Sequence, residues 1–203
     1  MNPAYISAMI SSPLLFSTFI VIFVAELPDK TALAALILAT KYRPRDVIVG
    51  ACLAFLVQTV VAVAAGSIFT LLPLMPIRIA SGIGFLIFSV FAFLRKEEEL
   101  GKKERAAIDP RKSLKPIWLM SFLVIFAAEW GDLTQLATAA LVAQNRHPLS
   151  VGIGAVLALW TVTVLAAVSG SRLSRFLKPA LLNIMSGLLF AAIGIYLIAT
   201  ALW

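Results

Sequence analysis

The sequence carries little charge and few of the side chains that hold metals in soluble proteins. Lys, Arg, Asp and Glu together make up 13% of the 203 residues, with one histidine and one cysteine. Cys52 therefore has no partner for a disulfide, and a Cys/His metal cluster is excluded. A nucleophile–base arrangement and a phosphate-binding loop are also missing. These absences argue against an enzyme and against a resident cofactor.

Apolar residues fill the sequence instead. They make up 61% of the chain, and the mean hydropathy is +0.99, well outside the range of soluble domains. A bilayer core of about 30 Å needs about 20 residues per helix, so little chain is left for a soluble domain. We therefore predict an all-α integral membrane protein. Its six transmembrane helices are expected at Ser12–Thr40, Val47–Leu72, Ile77–Leu94, Pro116–Ala143, Leu149–Ser171 and Ala180–Trp203.

The two halves of the sequence repeat each other in order. The segment AELPDKT, which begins at Ala25, reappears 103 residues later as AEWGDLT, which begins at Ala128. Because each half has three helices, the second half enters the membrane from the opposite side, which predicts a 3+3 inverted-topology repeat. We expect a first three-helix repeat at 1–94, a charged linker at 95–115 and a second three-helix repeat at 116–203, all in one transmembrane domain.

Basic residues predict the orientation in the membrane. The side that carries the linker has fourteen Lys or Arg, whereas the side that carries both termini has only Arg78 and Arg146. By the positive-inside rule the linker is cytoplasmic and both termini are outside, and we expect a bacterial plasma membrane. The net charge of +7 thus reflects topology and contact with the lipid bilayer. It does not indicate nucleic acid as a partner.

Four carboxylates lie inside the predicted spans: Glu26, Asp29, Glu129 and Asp132. A carboxylate at the bilayer centre costs at least about 2.5 to 3.5 kcal/mol on insertion scales, so each needs a partner or a purpose. Twelve mostly apolar residues, about 18 Å of helix, precede each motif. Two helices that enter from opposite faces would bring the motifs together near the midplane. A spacing of three residues puts the Glu and Asp of each motif on one face of a helical turn.

Other groups near the acids add oxygen donors. These are Thr31, Thr134 and Gln135 within a turn of the acids, and Gln58 in the second helix. Pro28 has no N–H, which frees the carbonyl of Val24 as a further ligand, and Gly131 allows close approach at the matching point. An oxygen-only, carboxylate-rich site selects hard divalent cations, and Ca²⁺ and Mn²⁺ both fit. A purely structural network is the alternative, but Lys30 alone cannot neutralise four carboxylates.

The two motifs resemble the paired E-x-G-D-[KR]-[TS] signatures of the Gdt family of cation/proton exchangers, which includes transmembrane protein 165. The likeness covers the whole chain, including the duplicated halves and the charged central loop. It implies that the cation-binding residues are Glu26, Asp29, Thr31, Glu129, Asp132 and Thr134. Two positions depart from the signatures: Pro28 replaces Gly in the first motif, and Leu133 replaces Lys or Arg in the second. Lys30 therefore has no basic counterpart, and we expect it to pair with Glu26 or Asp29.

Residues and resemblance together predict a secondary transporter that exports a divalent cation, with Mn²⁺ as the first choice, in exchange for protons. A Ca²⁺/proton antiporter or an exporter of another small cation is the alternative within transport. A passive cation channel and a structural membrane subunit are alternatives of a different class. The sequence carries no signal of oligomeric state.

Overall fold

The structure, a computed structural model, describes residues 11–26, 38–39, 42–94, 116–176 and 179–202, except for the side chains of 169–183. Over these ranges the chain is all-helical, without strands, as the sequence predicts. Besides the helical residues 38–39, the described ranges contain seven helices: α1 Ser12–Glu26, α2 Pro44–Phe69, α3 Leu74–Leu94, α4 Ile117–Ala128, α5 Leu133–Asn145, α6 Pro148–Phe176 and α7 Pro179–Leu202. Proline opens α2, α6 and α7, at positions where no intrahelical acceptor exists for the missing N–H.

Four helices are long and apolar enough to cross a membrane by themselves. They are Pro44–Phe69, Leu74–Leu94, Pro148–Val168 and Ile184–Leu202. The pair α4 and α5, bent by 72° at the break between them, makes a fifth span if the two helices are counted together. Helix α1 is apolar but shorter, and most of the remainder of its predicted span lies outside the described residues. The chain is therefore a multi-pass membrane protein, with four to five candidate spans in its described part against the six predicted.

The helices pack in matched combinations. Helix α1 packs against α6 and α4 against α2, while α3 pairs with α7 and α2 with α6. Glycine lets the backbones touch at the α4–α2 and α1–α6 crossings. A Cβ added to Gly50 would lie 2.2 Å from the carbonyl oxygen of Trp118, and one added to Gly154 would lie 2.6 Å from that of Leu15. Neither crossing can accept a side chain without moving the helices apart.

Three hydrogen bonds identify one end of the bundle. The N–H of Ser11 donates to Ser150 Oγ at the start of α6 (2.8 Å), and Arg146 just before it donates to the carbonyl of Leu72 after α2 (3.2 Å). Arg78, near the start of α3, donates to the carbonyl of Thr200 in α7 (3.3 Å). We call this end face A. The opposite end, face B, holds the starts of α2 and α4, which pack together. The first and last described residues thus share face A.

Candidate metal site

The predicted fourth helix is not continuous, because it breaks between Ala128 and Leu133. Gly131 has a φ of +75°, a conformation that costs residues with a side chain roughly 1 to 2 kcal/mol and costs glycine little. A Cβ at this position would meet no atom within 4 Å, so the glycine serves the backbone turn and not a close approach. The prediction of one unbroken helix over Pro116–Ala143 was therefore wrong.

Asp132 starts the next helix as its N-cap. One carboxylate oxygen accepts a hydrogen bond from the N–H of Gln135 (2.8 Å), and the other accepts one from the Thr134 hydroxyl (2.7 Å). The side-chain oxygen of Gln135 in turn accepts the N–H of Gly131 (2.7 Å). Asp132 therefore caps the helix, and the Gln135 side chain satisfies the N–H of the residue just before the cap. Glu129 and Asp132 therefore flank a break, instead of sharing one face of a regular helical turn.

The break still brings three carboxylates together. One oxygen from each of Glu26, Glu129 and Asp132 lies within 4.8 Å of the other two. Glu26 ends α1 and Glu129 caps the C-terminus of α4, so the two glutamates come from equivalent positions of the repeat. Both are buried, and Asp132 is half-buried. Opposite ligands of a bound Ca²⁺ lie about 5 Å apart, so one divalent cation fits among these oxygens.

The cluster lies at mid-depth in the bundle. A cavity of about 10 Å³ beside it is lined by Asp132, Thr134 and Gln135 from the broken helix, and by Gln58 and Leu159. The last two lie near the middle of α2 and α6, respectively. A space of this size holds about one water molecule. The cluster is thus far from both faces of the bundle, where negative charge is costly and needs cations or protons close by.

Gln58 and Gln135 brace the break. The amide nitrogen of Gln58 donates to the carbonyl of Phe126 (3.0 Å), in the last turn of α4, where carbonyls have no intrahelical partner. The amide nitrogen of Gln135 donates to the backbone carbonyl of Gln58 (3.3 Å). The sequence interpretation offers these side chains as accessory ligands, whereas the structure commits their amide nitrogens to backbone carbonyls. They tie the broken helix to α2.

The remaining sequence-predicted groups are placed as follows. The carbonyl of Val24 accepts a hydrogen bond from Ser186 Oγ in α7 (3.0 Å), so this oxygen is held by a hydroxyl. Ser186 is buried. Sequence reasoning gave it no role, although Ser186-Gly187 matches Ser81-Gly82 in the first half of the chain. Pro28, Asp29, Lys30 and Thr31 lie outside the described residues.

A buried cluster of carboxylates in the middle of an apolar bundle is the kind of site that membrane cation transporters use. Comparison with known families agrees with this geometry. The sequence model of the family described as "Divalent cation/proton antiporter GDT1" matches residues 14–100 and 117–202. The chain belongs to the GDT1 family. As a family of antiporters, GDT1 agrees with the expectation that the chain is not an enzyme.

Several GDT1 relatives cover nearly the whole chain. GDT1-like protein sll0615 of Synechocystis sp. is 35% identical, over 91% of this chain and 93% of that protein. GDT1-like protein 2, chloroplastic, of Oryza sativa subsp. japonica is 31% identical, over 93% of this chain and 62% of the relative. Protein PAM71-homolog, chloroplastic, of Arabidopsis thaliana is also 31% identical, over 93% and 60%, so the chain spans about three fifths of these two plant proteins. No solved structure matches the chain.

Proposed function

We propose that this chain exports Mn²⁺ from the cytoplasm in exchange for protons, with Glu26, Glu129 and Asp132 as the core of the cation site. One observation carries the proposal: three carboxylate oxygens converge within 4.8 Å in the buried centre of an apolar bundle. Repulsion and desolvation oppose this arrangement unless a cation or protons neutralise it. The chain belongs to a family of divalent cation/proton antiporters, and both a divalent cation and protons could neutralise the cluster.

The sequence repeat completes the proposed site. Asp29 and Thr31 match Asp132 and Thr134 in the repeat, and we assign them as the remaining ligands. Lys30 would pair with Glu26 or Asp29 and reduce the negative charge without contacting the metal. The site then contains four carboxylates, two hydroxyls and one ammonium group.

The donor set of the proposed site favours a hard divalent cation. Its carboxylate and hydroxyl oxygens suit both Mn²⁺ and Ca²⁺. Mg²⁺ keeps several waters and is usually bound by one or two carboxylates, so a site with four carboxylates suits it less well. We take Mn²⁺ as the first choice and Ca²⁺ as the alternative substrate.

We also propose that the two halves form an inverted repeat that alternates access to the site. The packing supports this, since exchanging the halves converts the α1–α6 crossing into the α4–α2 crossing. Leu15 and Trp118 are equivalent in the repeat. The carbonyl of Leu15 contacts Gly154 and that of Trp118 contacts Gly50, and these two glycines are also equivalent. The stacked pairs Phe19–Phe23 and Phe122–Phe126, with ring centroids 5.6 and 5.4 Å apart, also correspond. Such pseudo-symmetry lets one arrangement convert into its mirror state.

The proposed orientation places both termini outside the cytoplasm of a bacterial cell. Its support is the excess of basic residues on the linker side and the position of the first and last described residues on face A. A reporter that is active only in the cytoplasm should be inactive when fused after Trp203 and active when inserted in the linker at 101–115. A cytoplasmic C-terminus together with a cytoplasmic linker would refute the inverted arrangement.

Ion selectivity provides the main test of the proposed function. Purified protein in liposomes should take up Mn²⁺ in preference to Ca²⁺, Mg²⁺ and Cd²⁺, and only when a pH gradient is imposed across the membrane. Asp46→Asn, which removes a carboxylate near face B, is the matched control and should transport normally. Preference for Ca²⁺ would assign the alternative substrate. Conduction without a pH gradient would indicate a channel, and failure to bind any metal would indicate a structural subunit.

A further inference from the structure

A hydroxyl residue, an isoleucine and a glutamate recur in the same order along the buried stripes of α1 and α4. The stripe on α1 is Thr18, Ile22 and Glu26, and the stripe on α4 is Ser121, Ile125 and Glu129. All six side chains are at most 2% exposed. A spacing of four residues keeps side chains on one side of a helix. Each half therefore presents a hydroxyl, then an isoleucine, then a carboxylate of the proposed metal site.

The hydroxyls of these two stripes differ from others in the bundle. Ser and Thr in a helix commonly donate to the carbonyl four residues earlier, and Ser67, Thr138 and Thr163 all do so at 2.7 Å. Within the described part of the chain, Thr18 Oγ1 and Ser121 Oγ are buried without a hydrogen-bond partner. Burying an unsatisfied hydroxyl is destabilising. Two of them at equivalent positions of the repeat need an explanation other than stability.

The two hydroxyls lie on opposite sides of the carboxylate cluster. The Cβ of Thr18 is 3.1 Å from a Cβ added to Gly154, and the Cβ of Ser121 is 2.8 Å from one added to Gly50, so each residue lies at a tight helix crossing. Each precedes its glutamate by eight residues, about 12 Å of helix. Helix α1 starts at face A and α4 starts at face B. Thr18 is therefore between the cluster and face A, and Ser121 is between the cluster and face B.

We propose that Thr18 and Ser121 are oxygen subsites for the divalent cation, one on each route between solvent and the carboxylate cluster. Ile22 and Ile125 are then the apolar barriers that separate each subsite from the cluster. A neutral hydroxyl suits a point of passage because a transported ion must be able to leave it again. Opening one crossing exposes its hydroxyl to water while the other crossing stays closed. This inference rests on the proposed function, since it requires a cation to reach the cluster.

The first test removes each hydroxyl while keeping the packing. Thr18→Val and Ser121→Ala should melt at an unchanged or higher temperature, because an unsatisfied buried polar group is lost. Transport of Mn²⁺ should nevertheless slow about tenfold, the effect expected from losing one weak ligand. Ser67→Ala, whose hydroxyl bonds within its own helix, is the control and should transport normally. Unchanged transport by both stripe variants would overturn the proposal.

The second test measures access to each subsite. Since the sequence contains one cysteine, a Cys52→Ala background lets Thr18→Cys or Ser121→Cys carry a single thiol. A charged, membrane-impermeant thiol reagent should modify Thr18→Cys only from face A and Ser121→Cys only from face B, and Mn²⁺ should slow both reactions. Phe16→Cys and Leu123→Cys are the controls, because these positions of the same two helices are 64% and 41% exposed to the surroundings of the bundle. Lipid should exclude the reagent from them.

The two proposals fail in different ways. If the protein transports Mn²⁺ but Thr18→Cys and Ser121→Cys react no faster than their controls, the subsites are wrong and the proposed function stands. If the unmodified protein transports no divalent cation, the proposed function is wrong whatever the thiols do.

Discussion

Asp132→Asn should leave the protein folded and slow Mn²⁺ transport by about a hundredfold or more. Removing one member of a buried set of charges typically costs 2 to 5 kcal/mol in binding, and about 1.4 kcal/mol corresponds to each factor of ten. Asn is as good an N-cap as Asp, so the start of α5 and the break should persist while one negative charge disappears. Transport in liposomes and a thermal melt of the same sample measure the two effects separately.

Companion variants separate charge from capping. Glu26→Gln and Glu129→Gln should lose transport to a similar extent, and the repeat predicts the same for Asp29→Asn. Asp132→Ala also loses the cap, so its free energy of unfolding should in addition be lower by about 1 kcal/mol. Near-normal transport by folded Asp132→Asn would show that the cluster is structural. The same conclusion would follow if the substitution reduced the folded yield while the folded fraction transported normally.

Export of Mn²⁺ should acidify the lumen of liposomes that contain the metal when an inward proton gradient is imposed. The four carboxylates and Lys30 sum to a charge of minus three, and either one divalent ion or two protons would bring the site to minus one. Exchange of one ion for two protons is therefore electroneutral, and neither state leaves the carboxylates bare in a medium of low dielectric. Simultaneous recording of internal pH and metal efflux tests this directly, and efflux without acidification would exclude coupling.

Competition between protons and metal sets the pH dependence. In the proposed mechanism both bind the same carboxylate oxygens, so lowering the external pH should raise the Mn²⁺ concentration needed for half-maximal transport from that side. Lys30→Gln removes the positive charge that follows Asp29 in the sequence, and it should shift the pH optimum while transport is retained. Asp132→Asn serves as the control for passive leak, since its liposomes should show neither metal efflux nor acidification above background.

Hydropathy predicted the all-helical membrane fold and the positions of four of its helices, but it missed the break in the fourth predicted span. Long apolar runs predicted α2, α3, α6 and α7 to within a few residues, apart from five at the end of α6, because lipid-facing helices are apolar on all sides. The same uniformity concealed the break between Ala128 and Leu133, where apolar residues continue on both sides. The capping pattern of Asp132 and Gln135 was present in the sequence. Hydropathy alone could not show that Gly131 would use its left-handed conformation there.

The site was accessible from the sequence only in part. The cost of burying carboxylates identified Glu26, Glu129 and Asp132, and the structure brings these three together. The roles of the neutral groups depend on contacts between distant helices, which one sequence does not reveal. Ser186 and Val24 are 162 residues apart in the sequence. In the sequence Thr18 is one threonine within an apolar run, and only the structure shows that its hydroxyl is buried without a hydrogen-bond partner.

The brace at the break makes the two halves of the chain unequal. In the alignment that matches Gly50 with Gly154, the partner of Gln58 is Val162, which has no amide to hold a carbonyl of the facing helix. In the alternating cycle proposed above, the two orientations would therefore differ in energy, and the empty protein would spend more time facing one side. At equal driving force, a carrier biased in this way moves its cargo faster in one direction than in the other. Its apparent affinities measured from the two faces also differ.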